Sequence, residues 1–249
     1  MKKGLLLLVA SLVSFASINS VAAEETTSDT ITNQSGVVIP IEKYNALKSI
    51  YSDNFMNYMT QEEYNIIKDK DLSKVVIKEI TDANLNSSTS TIATEHTTSS
   101  KGLRIINNDG FVTMTLTWYK VPTIKKWDVM AFRKNTSVNI SNYYLFRQYY
   151  LSTDNESKLS TEKYGQNFDN GVGATFKVQN GSGHEMELSA DFTGSGRVYG
   201  SYQHASNSKA TLADAMDYTL SGSGFGGVIL FNEAIESKFD GMGGVYLTL

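Results

Sequence analysis

Three histidines, His96, His184 and His204, are the only imidazoles available for acid–base work or metal ligation. If Gly194-Ser195-Gly196 is a hairpin loop, His184 and His204 share a strand face, and with an acid nearby they could hold a metal. No H-x-x-x-H or similar spacing supports that, so the reading is core or edge histidines and no metal site. Paired acids come next: Glu185 with Glu187 on one strand face, and Glu233 with Glu236. A glycosidase uses two carboxylates across a cleft, one as acid and one as nucleophile or base. Glu185 and Glu187 alternate with apolar residues, so the competing reading is a solvated strand face. A Ser-His-Asp hydrolase would lack its G-x-S-x-G elbow. Gly222, Gly224 and Gly227 satisfy G-x-G-x-x-G literally, but 22 residues after the last glycine cannot complete a βαβ nucleotide fold. Asp154-Asn155-Glu156 and Asp169-Asn170-Gly171 offer oxygens without the spacing of a specific calcium loop. No catalytic residue and no cofactor is assigned.

Aromatic residues suggest binding instead. Trp118, Tyr119, Trp127 and the cluster Tyr143 to Tyr150 could stack on sugar rings. Trp118 shares parity with Met114 and Leu116 and belongs in the core. Tyr119, Trp127 and Tyr199 break from their apolar faces or border turns, which makes them the exposed candidates. With His184, His204, Glu185 and Glu187 they form the candidate binding set.

These residues need a scaffold, and the chain shows two periods. From Val37 to about Thr81 the apolar residues Tyr44, Leu47, Tyr51, Phe55 and Tyr58 recur at helical spacing. Pro40 suits a first helical position. Thr60 and Glu63 form a T-x-x-E capping box flanked by Met59 and Tyr64, which starts a helix at Gln61. Leu72 to Ile80 fits either a helix or a strand. Residues 24–36 are polar and read as a mobile tail. Residues 82–101 form a linker, with ten Ser or Thr between Leu85 and Ser100. From Gly102 the period becomes two: Val112, Met114, Leu116 and Trp118 alternate with threonines, as do Met186, Leu188, Ala190 and Phe192 with polar residues. Such alternation, cut by Gly- and Asn-rich turns, predicts a mainly β domain over 102–249, an antiparallel β-sandwich of jelly-roll type with a small N-terminal helical region. In the hairpin reading, Phe192 faces Val198 and Met186 faces His204. Tyr143 to Leu151 leaves neither face polar, so it is covered on both sides or meets the helical region.

Composition sets the compartment. Lys2 and Lys3, the apolar run Leu5 to Val13 and the small residues Ser20 to Ala23 make a secretory signal, cleaved after Ala23. Serines interrupt the run before it reaches the length of a membrane span, so no stable span is expected after cleavage. The 249 residues carry a formal charge of -4, which disfavours nucleic acid, and no cysteine, which excludes disulfides and thiol chemistry.

Arg197-Val198-Tyr199-Gly200-Ser201-Tyr202-Gln203-His204-Ala205, Phe225-Gly226-Gly227-Val228 and the run Lys238 to Val245 resemble a recurrent pattern in uncharacterised secreted proteins of Firmicutes. Tyr58 to Tyr64, Trp118 to Pro122 and Trp127-Asp128-Val129 are similar to that group too. The group carries no assigned activity, so the resemblance implies export and a bacterial source but no catalytic residue. The functional expectation is a non-catalytic extracellular module whose partner is a glycan or a protein. A glycan hydrolase using Glu185 or Glu187 and a membrane-active toxin are the alternatives.

Overall fold

Strands whose side chains alternate between apolar and polar must bury one face, and here two sheets bury their apolar faces against each other. The structure is a computed structural model and describes residues 29–81, 101–221 and 228–249. The signal segment, His96 with most of the Ser/Thr linker, and the Gly222–Gly227 motif lie outside the described residues.

One sheet has six strands in the order β3 (Val76–Thr81), β4 (Lys101–Asn108), β5 (Phe111–Trp118), β11 (Ser182–Gly194), β7 (Val138–Leu151) and β8 (Ser157–Leu159). The other has five, in the order β15 (Phe239–Thr248), β12 (Arg197–Ala205), β6 (Trp127–Lys134), β10 (Gly171–Lys177) and β9 (Lys163–Phe168). Every pairing in both is antiparallel. The protein is thus a mainly β, antiparallel sandwich with few helices. Between the sheets lies one apolar core that includes Leu103, Met114, Leu116, Phe132, Phe176, Leu188 and Leu247.

The hairpin expectation fails. β11 pairs with β5 and β7, and β12 pairs with β6 and β15, so these two consecutive strands sit in opposite sheets. Gly194-Ser195-Gly196 carries the chain across the sandwich. Gly194 takes φ 100°, and a Cβ there would lie 2.4 Å from the Ser137 carbonyl oxygen. Two strands whose apolar faces point to one core look alike in sequence whether they are paired side by side or stacked face to face. The parity was therefore right and the pairing wrong.

Both outer faces are covered as well. Ala210, Ala215, Tyr218, Leu220, Ile229 and Ile235, from the excursion between β12 and β15 that carries the paired strands β13 (Tyr218–Leu220) and β14 (Ile229–Phe231), pack on Trp127, Val129 and Ala131 of β6. On the other side, α1 (Ile41–Lys48), α2 (Asp53–Tyr58) and α3 (Gln61–Ile67) bury Leu47, Tyr51, Phe55, Met56, Met59 and Ile67 against Ile106 and Phe111. Each such side chain contributes about 1.5–3 kcal/mol by leaving water. Three details differ from expectation. Pro40 ends a short strand, β2 (Val38–Pro40), one residue before α1. β2 pairs with β1 (Thr30–Thr32), inside the stretch expected to be mobile. The reason is Asn33, whose amide donates to the carbonyls of Met56 and Met59 while its oxygen accepts from Ser35 and Val37. And Val76–Thr81 is not part of the helical region but an edge strand of the sandwich, a role suited to its β-branched Val76 and Ile77.

Candidate functional site

The outer face of the six-stranded sheet is polar, and the helices cover only part of it. Cross-strand register aligns Arg104, Thr115, Glu187 and Arg147 in one row, and Gly102, Thr117, Glu185 and Tyr149 in the next. Under the helices the first row is tied together by ion pairs, although Arg147 Nε and Glu187 Oε2 meet no hydrogen-bond partner among the described residues. Arg147 Nη2 donates to Glu63 Oε1 and to Glu187 Oε1, both at 2.6 Å. Its Nη1 donates to Glu63 Oε2 at 2.9 Å and to the Tyr58 carbonyl at 2.7 Å. Glu63 and Glu187 are fully buried. Glu63 also closes the expected capping box, accepting from the Thr60 backbone at 2.8 Å. The helical region is therefore docked on the sandwich by one guanidinium shared between two carboxylates.

Burial pushes the Glu63 carboxyl above its usual range, against the pull of Arg147. Burial opposes the Arg147 charge too, but Glu187 and Glu63 outweigh it and hold that group above its ordinary value. An acid whose folded-state affinity for its proton is raised stabilises the fold most below its unfolded pKa, and loses that contribution as pH climbs through the folded value. Burial pushes Glu185 the same way, whereas buried His184 is pushed down and acts in the opposite sense. The readout is therefore a difference between proteins. Glu63→Gln keeps a capping-box residue, and its stability relative to the parent should rise with pH from about 4.5 toward neutrality in urea melts. A flat difference would show that Glu63 carries no such penalty.

Beside this anchor the sheet is open. A cleft of about 280 Å³ lies between the corner of α1 and α2 and the strands β3, β4 and β5. Its floor holds Arg104, Thr115 and Thr117, one wall holds the stacked rings of Tyr51 and Phe55, 4.2 Å apart, and the other holds Ile77. Glu185 closes one end, accepting a 2.6 Å hydrogen bond from the Ser52 hydroxyl. Tyr119 is 59% exposed and lies across Gly102, where an added Cβ would sit 2.5 Å from its hydroxyl oxygen. A side chain there would displace that ring. Arg104 is half-buried and its guanidinium forms no hydrogen bond or ion pair with any described residue, and neither do the Thr115 and Thr117 hydroxyls.

A second polar cluster is sealed inside the sandwich. Asp128 Oδ2 accepts from Trp118 Nε1 at 3.0 Å and from the Tyr202 hydroxyl at 2.8 Å, and Oδ1 lies 2.6 Å from His204 Nδ1. Asp128 is fully buried and His204 nearly so. Trp118 comes from the six-stranded sheet and the other three from the five-stranded sheet, so the cluster pins the sheets together. His184 is fully buried against the Tyr150 ring, and among the described residues its nitrogens meet no well-aligned hydrogen-bond partner. Among the described residues no group of three or more His, Asp or Glu is arranged to hold a metal ion, and no helix is long and apolar enough to cross a membrane.

The seven sequence candidates thus separate into four places. Tyr119 and Glu185 meet in the cleft. Glu187 lies beneath the helices, sealed and ion-paired, and is not on a solvated face; nor can it reach a substrate as a hydrolase acid. His184 and His204 are core residues. Trp127 is 7% exposed, not an exposed platform, because the β12–β15 excursion covers it and Lys177 lies over its ring. Tyr199 is half-buried on that far sheet, stacked by Arg133 at 4.0 Å. Arg104, Tyr51, Arg147 and Asp128, and the pairing of the capping residue Glu63 with Arg147, do not stand out in the sequence as functional or organising features. Asp128 left a signal, since it sits on the parity of Met130 and Phe132, where a charge needs partners.

No protein-family model matches the chain, and no curated protein matches it in sequence. Solved structures similar to it include the collagen-binding subdomain of the Enterococcus faecalis surface protein ACE, with a TM-score of 0.31 and 9% identity over 57% of this chain and 87% of that one. The KRT10-binding region domain of the pneumococcal serine-rich repeat protein PsrP matches with a TM-score of 0.30 and 12% identity over 71% and 97% of the two chains. A collagen-binding domain from a Staphylococcus aureus adhesin matches with a TM-score of 0.28 and 9% identity over 39% and 75%. At these values the likeness lends this chain no ligand and no residue role.

Proposed function

We propose that this chain is a non-catalytic binding module of a secreted bacterial protein and that it engages an extracellular partner at the cleft beside α2. One observation carries the reading: the cleft presents the Arg104 guanidinium and the Thr115 and Thr117 hydroxyls, none of them hydrogen-bonded to a described residue, beside an exposed tyrosine, while the nearby acid Glu187 is locked away from solvent. Polar groups converging in a cleft held by a packed sheet suit recognition. Export rests on the n-region Lys2-Lys3 and the apolar run that follows it.

The test is binding of the secreted chain to an immobilised panel of extracellular-matrix proteins and glycans. Tyr119→Ala should weaken the partner found by about fivefold or more, as loss of an interface tyrosine does. Tyr199→Ala, on the opposite side of the sandwich, should leave it unchanged. Equal binding by Tyr119→Ala, or turnover of any panel polymer, would overturn the reading.

A further inference from the structure

Resting on that reading, we infer that the cleft takes a carboxylated sugar, with Arg104 as the group that binds its carboxylate. Two arginines occupy the same cross-strand row, and their surroundings differ. Arg147 meets two carboxylates within 2.9 Å. Arg104 meets none among the described residues, yet it is half-buried and opens into the cleft. Backbone register sets Glu79 opposite Arg104 on β3 and Thr115 opposite it on β5. A guanidinium recognises a carboxylate through two parallel N–H donors, which fixes orientation as well as charge.

The other groups select the body that bears the acid. Thr115 and Thr117 offer hydroxyls on the floor. Glu185 lines the end of the cleft, held by the Ser52 hydroxyl and by the Asn54 side chain, and a carboxylate's further lone pairs would accept from a ligand's hydroxyls. Tyr119 supplies an exposed ring face of the kind on which a pyranose stacks. Hydroxyl donors and acceptors on one side, an aromatic face on another and a cation between them match an acidic monosaccharide unit. An acidic peptide would use the cation and leave the hydroxyl row idle. The volume of about 280 Å³ admits one or two sugar units. Uronic and sialic acids share the carboxylate that Arg104 reads, and the probes below tell them apart.

The full secreted chain is titrated with glucuronate, N-acetylneuraminate, glucose and an acidic tripeptide, followed by amide chemical shifts. One of the two acidic sugars should bind at least about tenfold more tightly than glucose. Arg104→Gln should weaken that sugar by about 10- to 100-fold, the range for a lost charge-assisted pair, and leave glucose unchanged. Arg104→Lys should recover part of the loss and confirms that the fold is intact. Equal affinity for acidic and neutral sugars, no effect of Arg104→Gln, or binding of the tripeptide alone would each overturn the inference. A panel partner that still depends on Tyr119 but not on Arg104 would sink the inference and spare the module. A partner that depends on neither would sink both.

Discussion

Arg147→Ala is expected to destabilise the protein by about 3–5 kcal/mol at neutral pH, the cost of removing one partner from a buried ion pair. A domain of this kind has only about 5–15 kcal/mol in hand. The size follows from what is left behind. Glu63 and Glu187 are fully buried, and both take their closest cationic hydrogen bonds from this one side chain. The Tyr58 carbonyl at the end of α2 loses the shorter of its two side-chain donors and keeps only the Ser35 hydroxyl at 3.1 Å. Acid should relieve part of the damage, because protonating the orphaned Glu63, whose carboxyl burial already pushes up, removes a charge that burial penalises. The variant's deficit, measured by urea unfolding, should therefore shrink as pH falls from 7 toward 4. Changing all three residues together, Arg147→Met with Glu63→Leu and Glu187→Leu, should cost far less than Arg147→Ala alone, since buried charge triads exchange for apolar groups at little net cost. A triple variant as unstable as Arg147→Ala would mean that the ion pairs are specific structural requirements rather than mutually neutralising charges.

The Arg147 site also shows what the sequence discloses and what it conceals. Strand parity was legible. Met186, Leu188, Ala190 and Phe192 all reach the core, as alternation required. The Thr60–Glu63 box was legible too, because a cap is a local contract between residues three apart. The second duty of Glu63 was not, since its partner Arg147 is 84 positions away. A polar strand face reads as wet unless something covers it, and nothing in Glu185, Glu187 or Ser189 announces that helices from the N-terminal part will do so. The cleft was half legible for the same reason. Tyr119 and Glu185 stood out as breaks in parity or as paired acids. Arg104 and the threonines of β5 looked like the ordinary exposed side of a strand. Their value comes from the α1–α2 corner, which makes a wall out of residues far away in sequence. Pairing was hidden at Gly194-Ser195-Gly196, where a short glycine turn serves a sandwich crossing as well as a hairpin.

Asp128→Ala should produce a loss of similar size, about 3–5 kcal/mol, through a different route. The carboxylate gathers three donors at 2.6 to 3.0 Å, from Trp118, Tyr202 and His204, all at most 2% exposed. Removing it orphans each of them in the core, and an unsatisfied buried donor costs about 1–3 kcal/mol. Asp128→Asn should cost less, because its amide oxygen still accepts, while its NH₂ group must turn toward a donor. Tyr202→Phe alone deletes one donor and leaves the carboxylate two, so about 1 kcal/mol is expected. In the double variant, Tyr202→Phe removes a group that Asp128→Ala had left unpaired. The combined loss should then fall short of the sum by about 1 kcal/mol or more, since residues in one hydrogen-bonded network are coupled. The pin joins Trp118 of one sheet to residues of the other, so the Trp118 fluorescence of the native state should shift in Asp128→Ala before the fold melts. Strict additivity with an unchanged Trp118 signal would show that the sheets are held by apolar packing alone, with the Asp128 network a passenger in the core.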